Sequence, residues 1–102
     1  MMAEQLLVLE EAAADLDQGI DFYEARKNEL GTYFFDSLLS DMESLRLSAG
    51  VHAIHFGFHR MLASRFPFAI YYGYDGRIAR VVAILDMRSN PAWIRDQLVQ
   101  RN

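Results

Sequence analysis

The apolar pattern of this chain changes period near residue 50, and that change constrains the fold more than any other feature. Upstream, Ala13, Leu16, Ile20 and Tyr23 recur at helical spacing, and Phe34, Phe35, Leu38, Met42 and Leu45 do so again after Leu30-Gly31. Glu10-Glu11 place carboxylates where a helix N-terminus favours them, and Ser48-Ala49-Gly50 closes the second stretch. Gly19 inside the first helix suits close approach by a neighbouring element. Downstream, the runs His59 to Phe66, Phe68 to Tyr74 and Ile78 to Arg88 are β-branched, aromatic or alternating, as strands require. Asp75-Gly76 between the last two runs is a hairpin signal. Leu6 to Leu9 suits one short strand, and Asn90-Pro91 opens a terminal helix that Trp93, Ile94 and Leu98 can anchor. The order reads β-α-α-β-β-β-α: an α+β domain over 1–102, with a helix hairpin packed on a small antiparallel sheet.

In the last strand Ala79, Val81, Ala83 and Leu85 share one face, and Arg80, Val82, Ile84, Asp86 and Arg88 share the other. Small side chains let helices approach, so the alanine face is assigned to the hairpin and the Arg80/Asp86/Arg88 face is expected to be open. Charge supports two unlike surfaces. Residues 1–50 carry eleven carboxylates against Arg26, Lys27 and Arg46, a net of −8. Residues 51–102 carry three against seven arginines, a net of +4.

Several chemistries are excluded or disfavoured. Without cysteine there is no disulfide, thiol nucleophile or Cys-ligated metal, which fits a reducing cytoplasm. The N-terminus lacks a signal-peptide pattern, and the longest apolar run, Phe66 to Tyr74, holds Pro67 and Gly73 and is far short of a bilayer span of roughly 20 residues. A cytoplasmic protein with no membrane association is expected. His52, His55 and His59 lie between Gly50 and a strand, so they read as loop histidines rather than metal ligands. No nucleotide-binding glycine motif or nucleophile elbow is present, and Ser64 and Ser89 have no base beside them in sequence. No metal and no cofactor are expected.

The segments Arg65-Phe66-Pro67-Phe68-Ala69-Ile70-Tyr71-Tyr72 and Arg80-Val81-Val82-Ala83-Ile84-Leu85-Asp86-Met87-Arg88-Ser89-Asn90-Pro91 resemble the RelE/ParE toxin superfamily. Its ParE branch carries an R-F-P-Y-x-I-Y-Y strand, a hairpin, and a strand ending V-L-H-x-x-R-D-P. Ala13-x-x-Leu16 and Phe22-Tyr23-Glu24 resemble the first family helix, and Leu30-Gly31-x-x-Phe34 the start of the second, so the likeness runs along nearly the whole chain. It implies a RelE/ParE-like fold and the toxin half of a type II toxin–antitoxin module, also labelled a plasmid stabilisation protein. Such a toxin is neutralised by direct binding of a cognate antitoxin.

RelE-like members cut messenger RNA in the ribosome with lysines and arginines on the open sheet face, whereas ParE-like members block DNA gyrase. Here Lys27 is the only lysine, apolar residues surround Ala69, Asp86 stands where the ParE pattern has histidine, and Arg88-Ser89-Asn90-Pro91 replaces Arg-Arg-Asp-Pro. Phosphate-dominated binding needs many cations, so direct nucleic-acid binding is disfavoured. The resemblance therefore favours a ParE-like poison acting by protein–protein contact, with gyrase as the target, over an enzyme, and leaves the enzyme question open. Its alternatives are a ribosome-dependent RNA endonuclease and a non-toxic member that only binds an antitoxin. No catalytic residue is assigned. Arg80, Asp86 and Arg88, with Arg60 and Arg65 from the neighbouring strand, form the expected functional face. Phe34, Phe35, Phe66, Phe68, Tyr71 and Tyr72 exceed what so small a core should hide, so they form the expected antitoxin-binding surface, with self-association in its absence.

Overall fold

The apolar stripes of the first half meet because two helices are locked end to end. The computed structural model describes residues 2–102. Strand β1 (Gln5–Val8) leads into α1 (Glu10–Arg26), and α2 (Leu30–Glu43) returns beside it. The Glu24 carboxylate accepts from the Glu29 and Gly31 N–H groups, both at 3.0 Å, supplying from α1 the cap that α2 lacks in its own sequence. Ala12, Leu16, Gly19 and Tyr23 are the buried positions of α1, so its inward stripe is turned slightly from the expected one and Ala13 is exposed. Gly19 faces the ring of Phe34: a Cβ there would stand 2.5 Å from a ring carbon. That contact is the close approach the glycine suggested. A one-turn α3 (Leu45–Ser48) ends the helical half.

Four more strands follow: β2 (Ile54–His55), β3 (Phe58–Leu62), β4 (Phe68–Tyr74) and β5 (Ile78–Asp86), then α4 (Pro91–Arg101). The sheet order is β1-β5-β4-β3-β2, antiparallel except for β1, which runs parallel to β5. The α+β class and the hairpin-on-sheet plan are those expected. The sheet is mixed, however, with β2 and α3 added to the order. β3 also stops at Leu62, so Ala63 to Pro67 form a loop in place of the strand expected to reach Phe66.

The sheet has two covered faces. Toward the α1/α2 hairpin point Met61, Phe68, Ile70, Tyr72, Ala79, Val81 and Ile84. Toward α4 point Phe58, Ala69, Tyr71, Val82, Ala83 and Leu85, capped by Ile94 and Leu98. Central β4 is thus buried on both sides from Phe68 to Tyr72, which explains its unbroken apolar run. The β5 faces differ from the expected ones because of a bulge. Tyr71 pairs with Ala83 but Tyr72 pairs with Val81, so Val82 is extra and the alternation reverses beyond it. Ala83 and Leu85 consequently face α4, not the hairpin.

The bulge is held by side chains. β1 ends where the Leu9 N–H donates to the Val81 carbonyl at 2.9 Å. Beyond it the Ile84 N–H donates to Asp15 Oδ2 (3.0 Å), and the Val82 carbonyl accepts from Arg101 Nη1 (3.1 Å). Asp15 and Arg101 are paired through both carboxylate oxygens at 2.5 and 3.1 Å, with about a tenth of each side chain exposed. Two distant helices therefore complete the sheet edge that β1 leaves open.

Candidate functional site

The bulge separates the residues expected to form one open face. Arg80 precedes it, and alternation places it on the α4 side, where it pairs with Asp75 at 3.1 Å. Asp86 follows it and falls on the hairpin side, beside a groove of about 190 Å³ bordered by Gly19, Phe22 and Trp93. Its carboxylate accepts from Arg88 Nη2 (2.8 Å), Nε (3.0 Å) and the Arg88 N–H (2.8 Å). These charge-assisted bonds, led by the guanidinium, hold Asp86 below its ordinary pKa against the opposing effect of burial, and they raise that of Arg88. Arg65 is exposed on the Ala63–Pro67 loop rather than on a strand. The five residues do not converge. Arg60 alone faces a cavity of the outer sheet surface.

The aromatic surface is corrected too. Phe34 and Tyr72 are fully buried, Tyr71 and Phe68 nearly so, Phe66 is half-buried, and only Phe35 is exposed. They are hidden because the rings pack on one another. Tyr23 stacks on Phe34 at 5.0 Å, and Phe66 and Phe68 meet Phe34 edge-on at 4.9 Å. Two covered sheet faces accommodate more aromatics than the single core assumed from sequence. Trp93, expected as an anchor of α4, is instead 46% exposed.

What the outer face does present is a cavity of about 290 Å³ between the β2–β3 turn, the sheet and the start of α4, lined by His55, Phe56, Arg60, Tyr71, Met87, Pro91 and Ile94. The Tyr71 hydroxyl donates to Met87 Sδ at 3.6 Å. Burial raises its pKa more than the nearby Arg60 lowers it, so this phenol stays protonated at neutral pH. Asn90 caps α4 by accepting from the Ala92 N–H at 2.8 Å, with Pro91 in the first turn, and this places Pro91 and Ile94 at the rim. Sequence reasoning missed Phe56 and took His55 only as a loop histidine. Their one signal was Phe56-Gly57 within a stretch read as irregular.

The other two histidines serve structure. The Tyr72 hydroxyl accepts from the Gly50 N–H at 3.0 Å, leaving its proton for His52 Nδ1, 2.5 Å away. His59 Nδ1 donates to the His52 carbonyl at 2.6 Å, and its ring stacks on Tyr72. Burial, and secondarily the neighbouring His59, lower the pKa of His52 from the ordinary 6.5. Among the described residues no group of three His, Asp or Glu side chains is placed to hold a metal ion.

No model of a known protein family matches this chain, and no curated protein does. Among solved structures it resembles a chain of the chromosomal ParDE TA system from P. aeruginosa, with a TM-score of 0.74 and 22% sequence identity, over 86% of this chain and 98% of that one. The two share a fold, a helix hairpin on a small sheet, as the sequence motifs implied. Among the described residues no helix is long and apolar enough to cross a membrane.

Proposed function

We propose that this chain is the toxin of a type II toxin–antitoxin pair that acts, in the ParE manner, by binding a protein target, and that a cognate antitoxin neutralises it. DNA gyrase is the target to examine first. The fold shared with a chain of a ParDE TA system supports the module. The choice of branch rests on one observation: three of the five charges of the expected face are neutralised in pairs, Arg80 with Asp75 and Asp86 with Arg88, on opposite sides of the sheet. Cleaving a phosphodiester requires a base, an acid and cations around one phosphate. Asp86 is turned away from the outer face and engaged by Arg88, and Tyr71 is buried with a raised pKa, so neither supplies a base beside Arg60. His55 and Arg60 on one cavity are the feature that favours the endonuclease alternative.

The test is induced expression with and without the adjacent reading frame, followed by two assays on one preparation. Growth arrest relieved by the neighbour, with supercoiling inhibited and message intact, is the expected result. Message cut in the ribosome and spared by His55→Ala or Arg60→Ala would replace the proposal with the nuclease. Antitoxin binding without arrest would mark a non-toxic scaffold.

A further inference from the structure

The β2–β3 turn holds a residue that folding alone does not favour. His55 pairs with Phe58, so Phe56 and Gly57 are the two central residues of the turn, and both have positive φ, 53° and 90°. Such two-residue turns select Asn, Asp or Gly, because in the left-handed region a bulky Cβ crowds the following carbonyl oxygen. Phe56 is not compensated by burial, since half of the residue's surface is exposed. Backbone strain of this kind, carrying an exposed aromatic, belongs to sites that display a side chain. The turn is also braced: the Phe56 carbonyl accepts from Asn102 Nδ2 at 3.4 Å, next to Arg101, which is clamped to Asp15 and Val82.

The cavity beside Phe56 is mostly apolar, with His55, Arg60 and Tyr71 as its polar lining. Phe56, Met87, Pro91 and Ile94 make it apolar, and Arg60 brings a permanent positive charge. Among the described residues Arg60, like Arg26 and Arg65, forms no ion pair, whereas Arg46, Arg77, Arg80, Arg88, Arg95 and Arg101 each face a carboxylate. A volume of about 290 Å³ is near the lower bound for a small-molecule site, about 300 Å³, and suits one large side chain. We propose that this cavity receives a large apolar side chain from a partner polypeptide, with an Asp or Glu beside it on Arg60, and that Phe56 is the aromatic anchor of that contact. The occupant is protein rather than RNA because one unpaired cation matches one carboxylate, whereas a phosphate chain needs several. Aromatic and arginine side chains at a desolvated centre are those that dominate protein interfaces. This inference rests on the reading of the chain as a protein-binding toxin and names the chemistry of its partner.

The full-length chain is to be panned against a display library of random dodecapeptides, and the selected peptides titrated against wild type, Phe56→Gly and Arg60→Gln. Phe56→Gly removes the ring and the strain together, so its thermal midpoint should hold or rise, and Phe56→Asn is a second variant suited to the turn. Selected peptides should share a large apolar residue within two positions of Asp or Glu, and each variant should weaken them about tenfold or more. Peptides without that pairing, or indifferent to the variants, would overturn the proposal. So would displacement of the peptides by a single-stranded RNA oligonucleotide at physiological salt, or a Phe56→Gly protein that melts well below wild type. Growth arrest and supercoiling are read on wild type alone, so this proposal can fail while the toxin reading stands, and the reverse.

Discussion

The two faces of one sheet are built to different specifications. The hairpin face carries two long helices, an interlocked cluster of Tyr23, Phe34, Phe66 and Phe68, and a glycine that lets Phe34 touch α1. The outer face carries a single helix that contributes Ile94 and Leu98 and leaves a cavity between itself and the β2–β3 turn. Strand β5 supplies both faces with apolar side chains, and the bulge at Val82 decides which residue goes where. The denser face accounts for stability, and the less covered one has room for a partner. A domain this small can combine the two because its central strand is buried on both sides.

Truncations on the two faces put this contrast to its hardest test. Phe34→Ala should cost about 3–5 kcal/mol in denaturant unfolding, from lost transfer energy and an uncollapsed cavity. Leu98→Ala should cost toward the low end of the range for such changes, about 2 kcal/mol, because α4 lies over only part of its face. Equal losses would show that α4 contributes to the core as fully as the hairpin does.

Asp15 connects the faces, and its removal should come close to the aromatic truncation. Asp15→Ala leaves the Arg101 guanidinium buried and the Ile84 N–H without its acceptor, at a cost of about 3 kcal/mol or more. Hydrogen exchange should rise in both β5 and α4. Faster exchange in α1 alone would show that the pair does not join the layers.

Acid should act through the β3 side of the hairpin face. Folded His52 binds its proton less readily than the unfolded chain does, so protonation favours unfolding. Its contribution is complete above pH 6.5 and is lost as pH falls through its lowered folded value. Asp86 and Asp75, held below their ordinary 3.8 (Asp75 to about 2), add a second loss at lower pH. Thermal midpoints measured from pH 8 downward should decline below pH 6.5, and His52→Gln should flatten that first decline. An unchanged slope in the variant would remove His52 from the account. The smallest effect belongs to Arg80→Ala, within about 1 kcal/mol, because its ion pair with Asp75 is exposed.

Much of the fold is legible in the residues because period is a local property. The helix stripes, the Asp75-Gly76 turn, where Asp75 Oδ1 accepts from the Arg77 and Ile78 N–H groups, and the Asn90-Pro91 helix start each depend on neighbours within a few positions. The site was far less legible. A face read by alternation along β5 holds only while pairing is regular, and one extra residue at Val82 sent Arg80 and Asp86 to opposite sides.

Residue order alone was enough for the class of the fold, the hairpin and sheet that compose it, and the residues able to carry charge or stack. Which of them meet was settled by packing across the folded chain. Asp15 and Arg101, eighty-six positions apart, close the sheet edge together. Glu24 caps a helix it does not belong to. Phe56 and Arg60 share a cavity with Pro91 and Ile94. Local patterns record which backbone shape each segment prefers, but register, bulges and packing between layers depend on contacts distant in sequence, which no local period encodes.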